Sequence, residues 1–371
     1  MMTILFWLAA SIVAYTFLGY PLLIDLLARL RPRPNRVAAI EPSVTLIIPA
    51  YNEEAVIAAK IENSLALDYT ADKLAILVVA DGSDDDTVTI AGRYPGVMVA
   101  HRSERRGKAA AVNRVMPAVT GDIILFSDAN TLFAPGTLRA MVRHFADPSV
   151  GGVTGEKRVQ GGGEGLYWRY ESWLKARDSR VTSVMGAAGE IFALRRQAFQ
   201  PPEEDSIIED FILSMRLVAG GWRVIYEPAA VAFEPPAPSL AADWQRRTRI
   251  AAGGFQSIAR LPELLDPRRG LVAWQYVSHR ALRWAVTPFM LPLLLLLNLL
   301  LWPRRLYRPL LLGQLGIYAL GLLGYRDARR GRSAGLAYGV FYFLLANLAA
   351  ITGFLRLMRG RQPVTWRKVR K

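Results

Sequence analysis

The chain has 371 residues, 52% of them hydrophobic, with 46 basic against 31 acidic side chains and a net charge of +15. Zero cysteines exclude disulfides and thiolate metal sites, and three scattered histidines, His101, His144 and His279, leave no histidine cluster for zinc, so any metal must be held by oxygen. A mean hydropathy of +0.19 at this length fits one catalytic domain plus membrane segments, and a basic excess beside apolar segments suits anionic lipid headgroups better than nucleic acid.

Residues 1–30 open with an apolar run from Ile4 to Leu27 that holds few polar residues, among them Ser11, Thr16 and Asp25, followed by Arg29, Arg31, Arg33 and Arg36. This pattern predicts a membrane anchor with a cytoplasmic basic flank. A cleaved signal peptide is the rival reading, but it needs a positive n-region and a small-x-small site that this stretch lacks. Residues 40–267 then alternate strand-like apolar runs with helical patterns, the clearest strands being Val44–Pro49, Leu74–Ala80 and Asp122–Ser127. Short strands that are apolar on both faces predict a buried parallel sheet in an open α/β fold, with ligands gathered at the strands' C-terminal ends.

Each of these strands runs into a polar station. Pro49-Ala50-Tyr51-Asn52-Glu53-Glu54 reads either as a helix cap or as a nucleotide contact made by the backbone of Ala50 and Tyr51 and by the Glu53 carboxylate. After the second strand comes Asp81-Gly82-Ser83, where glycine permits a tight turn and Asp81 can accept from a base or ribose. No GxGxxG follows the first strand, which argues against a dehydrogenase. In the basic loop Arg105-Arg106-Gly107-Lys108, a lysine opening a helix is unfavourable unless an anion is near, and a diphosphate would supply one; a solvated loop is the alternative. Asp128 ends the next buried strand, where a carboxylate needs a compensating partner such as a divalent cation under a diphosphate.

Further along, Gly161-Gly162-Gly163 reads as a turn before a helix carrying Trp168 and Trp173. In Gly186-Ala187-Ala188-Gly189-Glu190, small residues let either a sugar or a tight turn form against the backbone. Ile207-Ile208-Glu209-Asp210-Phe211 starts a helix with two acids, one of which can face a reacting hydroxyl. Beyond it, residues 268–283 read as an interfacial amphipathic segment. Residues 284–357 read as about three membrane helices (Trp284–Trp302, Pro309–Tyr325, Ala334–Leu357), and 358–371 as a basic tail. With the anchor this makes four spans, a parity that puts the tail outside although its charges call for the cytoplasm. A re-entrant element among the last three would reconcile the two, and the segment before Pro303-Arg304-Arg305 is the suspect.

The ordered set PAYNEE, ADGSDDDT, RRGKAAAVN, FSDAN, GAAGEIFALRR, IEDF and RRTRI resembles the family 2 inverting glycosyltransferases, in particular their membrane-bound, polysaccharide-synthase-like members. The resemblance covers most of residues 40–255. It implies a GT-A, Rossmann-like α/β domain beside transmembrane helices, a nucleotide diphosphate sugar as donor, expected to be UDP-linked, and Mg2+ or Mn2+ as cofactor. Matched position by position, Asp81 resembles the nucleoside-binding aspartate and Asp128 the first acid of the DxD motif, with Asn130 in the second acid's place as the other metal ligand. Asp210 resembles the general base, with Glu209 beside it and Gly189 and Glu190 on the acceptor side. RRTRI resembles QxxRW, with Arg246 for glutamine, Arg249 conforming and Ile250 for tryptophan, which places Arg246 and Arg249 with Lys108 at the donor.

The expected protein is therefore a multi-pass enzyme of the inner (plasma) membrane with its catalytic domain in the cytoplasm. It would act on a growing polysaccharide or a lipid-linked acceptor, touch membrane lipids, have synthase or export partners, and bind no nucleic acid. The departures at Asn130, Arg246 and Ile250 motivate the alternative, a non-catalytic nucleotide-binding subunit of a synthase complex.

Overall fold

The computed structural model describes residues 1–160, 165–332 and 335–365; the Gly161–Gly163 turn and the basic residues 367–371 lie outside the described residues. Eight strands form one sheet: β1 Val44–Ala50, β2 Leu74–Asp81, β3 Val97–Arg102, β4 Ile123–Phe126, β5 Leu132–Phe133, β6 Val150–Val159, β7 Phe192–Arg195 and β8 Arg223–Glu234, in the order β3-β2-β1-β4-β7-β6-β8-β5. The first four in that order are parallel, joined through the helices Ile57–Leu65, Thr87–Ala91 and Lys108–Val115. Their registers pair Ala50 with Ala80 and Ile47 with Phe126, so the chain leaves β1, β2 and β4 at one edge.

β1, β2 and β4 are buried on both faces because each is a run of Val, Ile, Leu and Ala; one apolar cluster packs on either side of the sheet. The expectation of a parallel sheet holds throughout this half, whereas the other half is mixed, with β6 and β8 parallel. β7 pairs antiparallel with both β4 and β6, and β5 antiparallel with β8. Antiparallel pairs need no crossover helix, and β7 follows directly from the loop that carries Gly186–Glu190.

Three helices among the described residues are long and apolar enough to cross a membrane: Met2–Leu30, Leu271–Leu300 and Leu336–Met358. Leucines such as Leu18, Leu22, Leu296 and Leu299 point outward from them. Four spans were expected, and apolar length supports three. The helix Tyr307–Arg329 falls short because glycines and Gln314 interrupt it and Arg308, Arg326, Asp327 and Arg329 sit at its ends. It lies so close to the last helix that a Cβ on Gly324 would be 2.0 Å from the Ala337 carbonyl oxygen. The segment before Pro303, suspected of re-entering, belongs instead to the longest candidate. The separate interfacial segment at 268–283 is likewise absorbed, since residues from Leu271 onward form the first half of that same helix. Its polar face is buried against the helix Gly165–Val181, where His279 Nδ1 lies 2.5 Å from Asp178 Oδ2 and Gln275 donates to the Asp178 carbonyl at 3.1 Å. Amphipathicity there marks a helix packed on protein.

Candidate active site

A cleft of about 2030 Å³ opens at the C-terminal edge of the parallel strands. Ala50, Tyr51 and Glu53 line it after β1, Asp81 at the end of β2, Lys108 after β3, and Asp128 and Asn130 after β4. Gly189, Glu190, Glu209, Asp210, Arg246 and Arg249 line it from the far side. The topology thus brings these thirteen candidate site residues to one cleft.

At the β2 end of the cleft Asp81 is buried and builds the basic loop: its carboxylate accepts from the amides of Arg106 at 3.1 Å and Gly107 at 2.7 Å. Gly107 adopts φ +99 and ψ 164, a conformation essentially restricted to glycine. The expectation gave Asp81 to a base or ribose. In the structure its first partners are backbone amides, and only the remaining lone pairs can serve a ligand. The guanidinium of Arg105 stacks on the Tyr51 ring at 3.5 Å, and the Glu53 amide donates to Thr87 Oγ1 at 2.8 Å, so the loops after β1, β2 and β3 form one wall.

Lys108 opens its helix, as expected of a cation with an anion nearby, and the anions are the protein's own. Its Nζ lies 2.8 Å from Asp128 Oδ1 and 2.9 Å from Glu209 Oε1. Burial pulls its pKa down, but Asp128, Glu209 and Asp210 outweigh that and hold it well above the usual lysine range. Behind this pair Lys60 is fully buried, donating to Ser127 Oγ at 2.7 Å with its ammonium 3.9 Å from the Phe133 ring centre; burial lowers its pKa to about 7 against the pull of Asp128. Among the described residues no three acids or histidines cluster as a ready metal site. Asp128 and Asn130 offer one carboxylate and one amide oxygen, a donor set that fits a cation of the magnesium kind completed by substrate phosphates.

Across the cleft, Asp210 accepts from the Gly189 amide at 2.8 Å. Burial first, then the charge of Glu209, raises its pKa to about 6, with Lys108 opposing. The loop before it is clamped to the helix Leu240–Arg260. Arg249 donates to the Ile207 carbonyl at 2.7 Å, the Ile207 amide donates to Gln256 Oε1 at 2.9 Å, and Arg260 holds Asp205 at 2.7 Å. Gly253 leaves room for Ile207 and Ile208 against that helix.

Arg246 was expected at the donor, yet its guanidinium lies 3.3 Å from Glu190 and 3.5 Å from Glu234. Lys157 is ion-paired to the same two carboxylates, at 2.6 Å from Glu190. Two cations balance two acids, which accounts for an arginine where glutamine is usual. Despite burial, Lys157 and Arg246 hold Glu190 far below the usual carboxylate range. Ile250 does line the cleft, and one turn further along the helix Gly254 receives the ring of Trp284, which also meets Phe211 edge-on at 4.9 Å. Sequence reading missed Trp284, taken for a membrane-boundary residue, and Lys157, Glu234 and Gln256, whose partners are remote in the chain. It also missed the segment Gln362–Thr365, which lines the cleft with Val364 3.5 Å from where a Gly107 side chain would begin.

Residues 45–201 match the family described as Glycosyl transferase family 2. A beta-monoglucosyldiacylglycerol synthase from Synechocystis is 28% identical over 259 residues, 66% of this chain and 52% of that protein. A poly-beta-1,6-N-acetyl-D-glucosamine synthase from Staphylococcus aureus is 27% identical over 231 residues, 58% of this chain and 56% of that protein. The aligned stretch thus spans about half the length of these curated relatives. A mannosyltransferase from Pyrobaculum calidifontis, solved in complex with GDP-Man and Mn2+, superposes with a TM-score of 0.72 at 25% identity over 96% of this chain and 99% of that one. Motif order, sheet and family match agree: residues 45–201 match Glycosyl transferase family 2, and the chain has the GT-A-type fold of the Pyrobaculum mannosyltransferase.

Proposed function

We propose that this enzyme is embedded in the inner membrane with its catalytic domain in the cytoplasm, and that it transfers one sugar, with inversion, from a nucleoside diphosphate sugar to a lipid-linked acceptor. The supporting observation is the cleft itself. It runs without interruption from Asp81 past Asp210 to Phe17, Trp284 and Tyr342, one side chain from each of the three candidate membrane helices. An acceptor with an apolar tail can enter along such a path. A polysaccharide needs a long sugar-stacking groove, and Ile250 replaces the stacking residue resembled in chain-elongating enzymes.

Asp210 is the general base. It takes the proton of the acceptor hydroxyl as that oxygen bonds to the anomeric carbon and the bond from that carbon to the diphosphate breaks, which inverts the configuration. A pKa of about 6 leaves the carboxylate mostly ionised at neutral pH and still basic enough to accept a proton. Gly189 aims it, and the Arg249 and Gln256 contacts fix the loop that carries it. Lys108 sits between Asp128 and Glu209, placed to meet charge on a departing diphosphate. Mg2+ or Mn2+, held by Asp128 and Asn130 together with the diphosphate, supplies further neutralisation of that leaving group when bound.

Purified full-length protein with magnesium or manganese, offered a panel of UDP- and GDP-linked sugars, tests the reading. A uridine donor is the expectation, and guanosine donors belong in the panel because the Pyrobaculum relative was captured with GDP-Man. Release of nucleoside diphosphate that increases with added membrane lipid, with a single sugar on the product by mass spectrometry, supports the proposal. Release that yields only long glycans overturns the single-transfer reading, and no release with any donor overturns the whole.

A further inference from the structure

On the membrane side of Asp210 the cleft passes Lys175, on the helix Gly165–Val181. This lysine is only 7% exposed, lines the cleft, and is held by no hydrogen bond or ion pair among the described residues. The carboxylates around it are engaged elsewhere. Glu171, one turn earlier, faces Arg283 at 2.5 Å and Arg280 at 3.8 Å, and Glu190 is taken by Lys157 and Arg246. Burial lowers the Lys175 pKa and Arg280 adds to this, against Glu171, Glu190 and Glu156. A buried ammonium without a counterion is unfavourable, and it contrasts with Lys60, which has Ser127 and Phe133. Lys175 therefore has the character of a cation waiting for a ligand's anion.

Arg280 supplies a second charge. Its Nη2 lies 3.6 Å from where a side chain on Gly186 would begin, while Gly189, three residues on, holds Asp210. Three residues span at most roughly 11 Å, and Gly186, Gly189, Asp210 and Arg280 all line the cleft, so this cation and the base face the same stretch of it. Apolar Phe17, Trp284 and Tyr342 lie along the same cleft.

We propose that Lys175 and Arg280 form an anion subsite that holds the phosphate ester of a lipid acceptor, with the tail among the membrane helices and the headgroup hydroxyl presented to Asp210. This rests on the lipid-acceptor reading above and adds the chemical class of the lipid: a phosphate diester or diphosphate bearing a hydroxylated headgroup.

Binding to the full-length protein in detergent, followed by tryptophan fluorescence or calorimetry, tests it with three probes: dioctanoyl phosphatidylglycerol, dioctanoylglycerol and inorganic phosphate. In Lys175→Met the phosphatidylglycerol Kd rises about tenfold or more, the scale of one charge-assisted contact, while dioctanoylglycerol is unaffected and Lys175→Arg recovers most of the loss. Inorganic phosphate at millimolar concentration fails to displace the lipid. A purely structural lysine predicts a lower Tm for Lys175→Met, whereas removal of an uncompensated buried charge leaves the ligand-free Tm equal or higher. Unchanged phosphatidylglycerol binding in Lys175→Met, or displacement by free phosphate as effective as by lipid, overturns the subsite. Donor-dependent nucleoside diphosphate release by the wild-type protein is measured alongside. Its absence counts against the enzyme reading, and its presence with Lys175-independent lipid binding removes the subsite alone.

Discussion

The Gly189 amide donates to Asp210 Oδ2 at 2.8 Å, and a side chain on Gly189 would begin 2.8 Å from that same oxygen. Only a hydrogen at this position allows the approach. Gly189→Ala should therefore turn the base away from its aim and lower kcat about 10- to 100-fold, while the donor KM and the Tm move little. Steady-state kinetics with the preferred donor checks this, and an unchanged kcat would show that the contact does not position the base.

A base acts when deprotonated, so the rate should rise with pH through about 6 and level off above, following Asp210. Glu209 is the charge that, after burial, raises this pKa. Glu209→Gln removes that repulsion and leaves Lys108 opposing, so the acidic limb should move to lower pH. Asp210→Asn should lose transfer by about 100-fold or more while the nucleotide still binds. A pH profile of kcat for the three proteins is the measurement; a limb that moves upward in Glu209→Gln contradicts the electrostatics described.

The parallel half of the domain was legible because β1, β2 and β4 are apolar on both faces and each ends in a chemically distinctive residue: Tyr51, Asp81, Asp128. Their places at the ends of parallel strands, where an open α/β sheet gathers its ligands, carried the expectation that they converge. The mixed half was not legible, since β7 has only four residues and its antiparallel partners lie more than thirty residues away. Partners were equally hidden at the site. Arg246 carries a charge suited to a diphosphate, and nothing nearby in sequence shows that Glu190 and Glu234 take it. Asp81 looked like a ligand contact because a carboxylate at a strand end is one, while its amide partners sit 25 and 26 residues further on. The helix Leu271–Leu300 was divided in two because its first half is amphipathic, and sequence does not distinguish a helix face set against Asp178 from one set against lipid.

The Lys157, Arg246, Glu190 and Glu234 group balances two cations with two acids in a mostly buried place. Arg246→Gln restores the residue type of the resembled motif but leaves two carboxylates with one cation, and should destabilise the fold by about 1–3 kcal/mol. Adding Glu234→Gln should recover most of that loss, because it removes the excess charge. A double-mutant cycle by thermal denaturation measures the coupling, and strictly additive effects would show that the four residues do not act as one network.

Donor binding should depend on the conformation of Gly107. With φ +99 and ψ 164 it occupies a region that costs other residues about 1–3 kcal/mol, and there its amide reaches Asp81 at 2.7 Å. In Gly107→Ala the backbone must relax, the amide swings away, and the Arg106 to Lys108 loop loses its tie to β2. Lys108 follows this glycine directly, so the cation placed for the diphosphate shifts with it. The expected result is a donor KM raised about tenfold, with product inhibition by nucleoside diphosphate weakened to the same extent. Asp81→Asn should act in the same direction, since an amide group at that place presents hydrogens where the Arg106 and Gly107 amides already donate. If both variants bind nucleoside diphosphate as tightly as the wild type, the loop is not the donor's cradle and the diphosphate must be held elsewhere in the cleft.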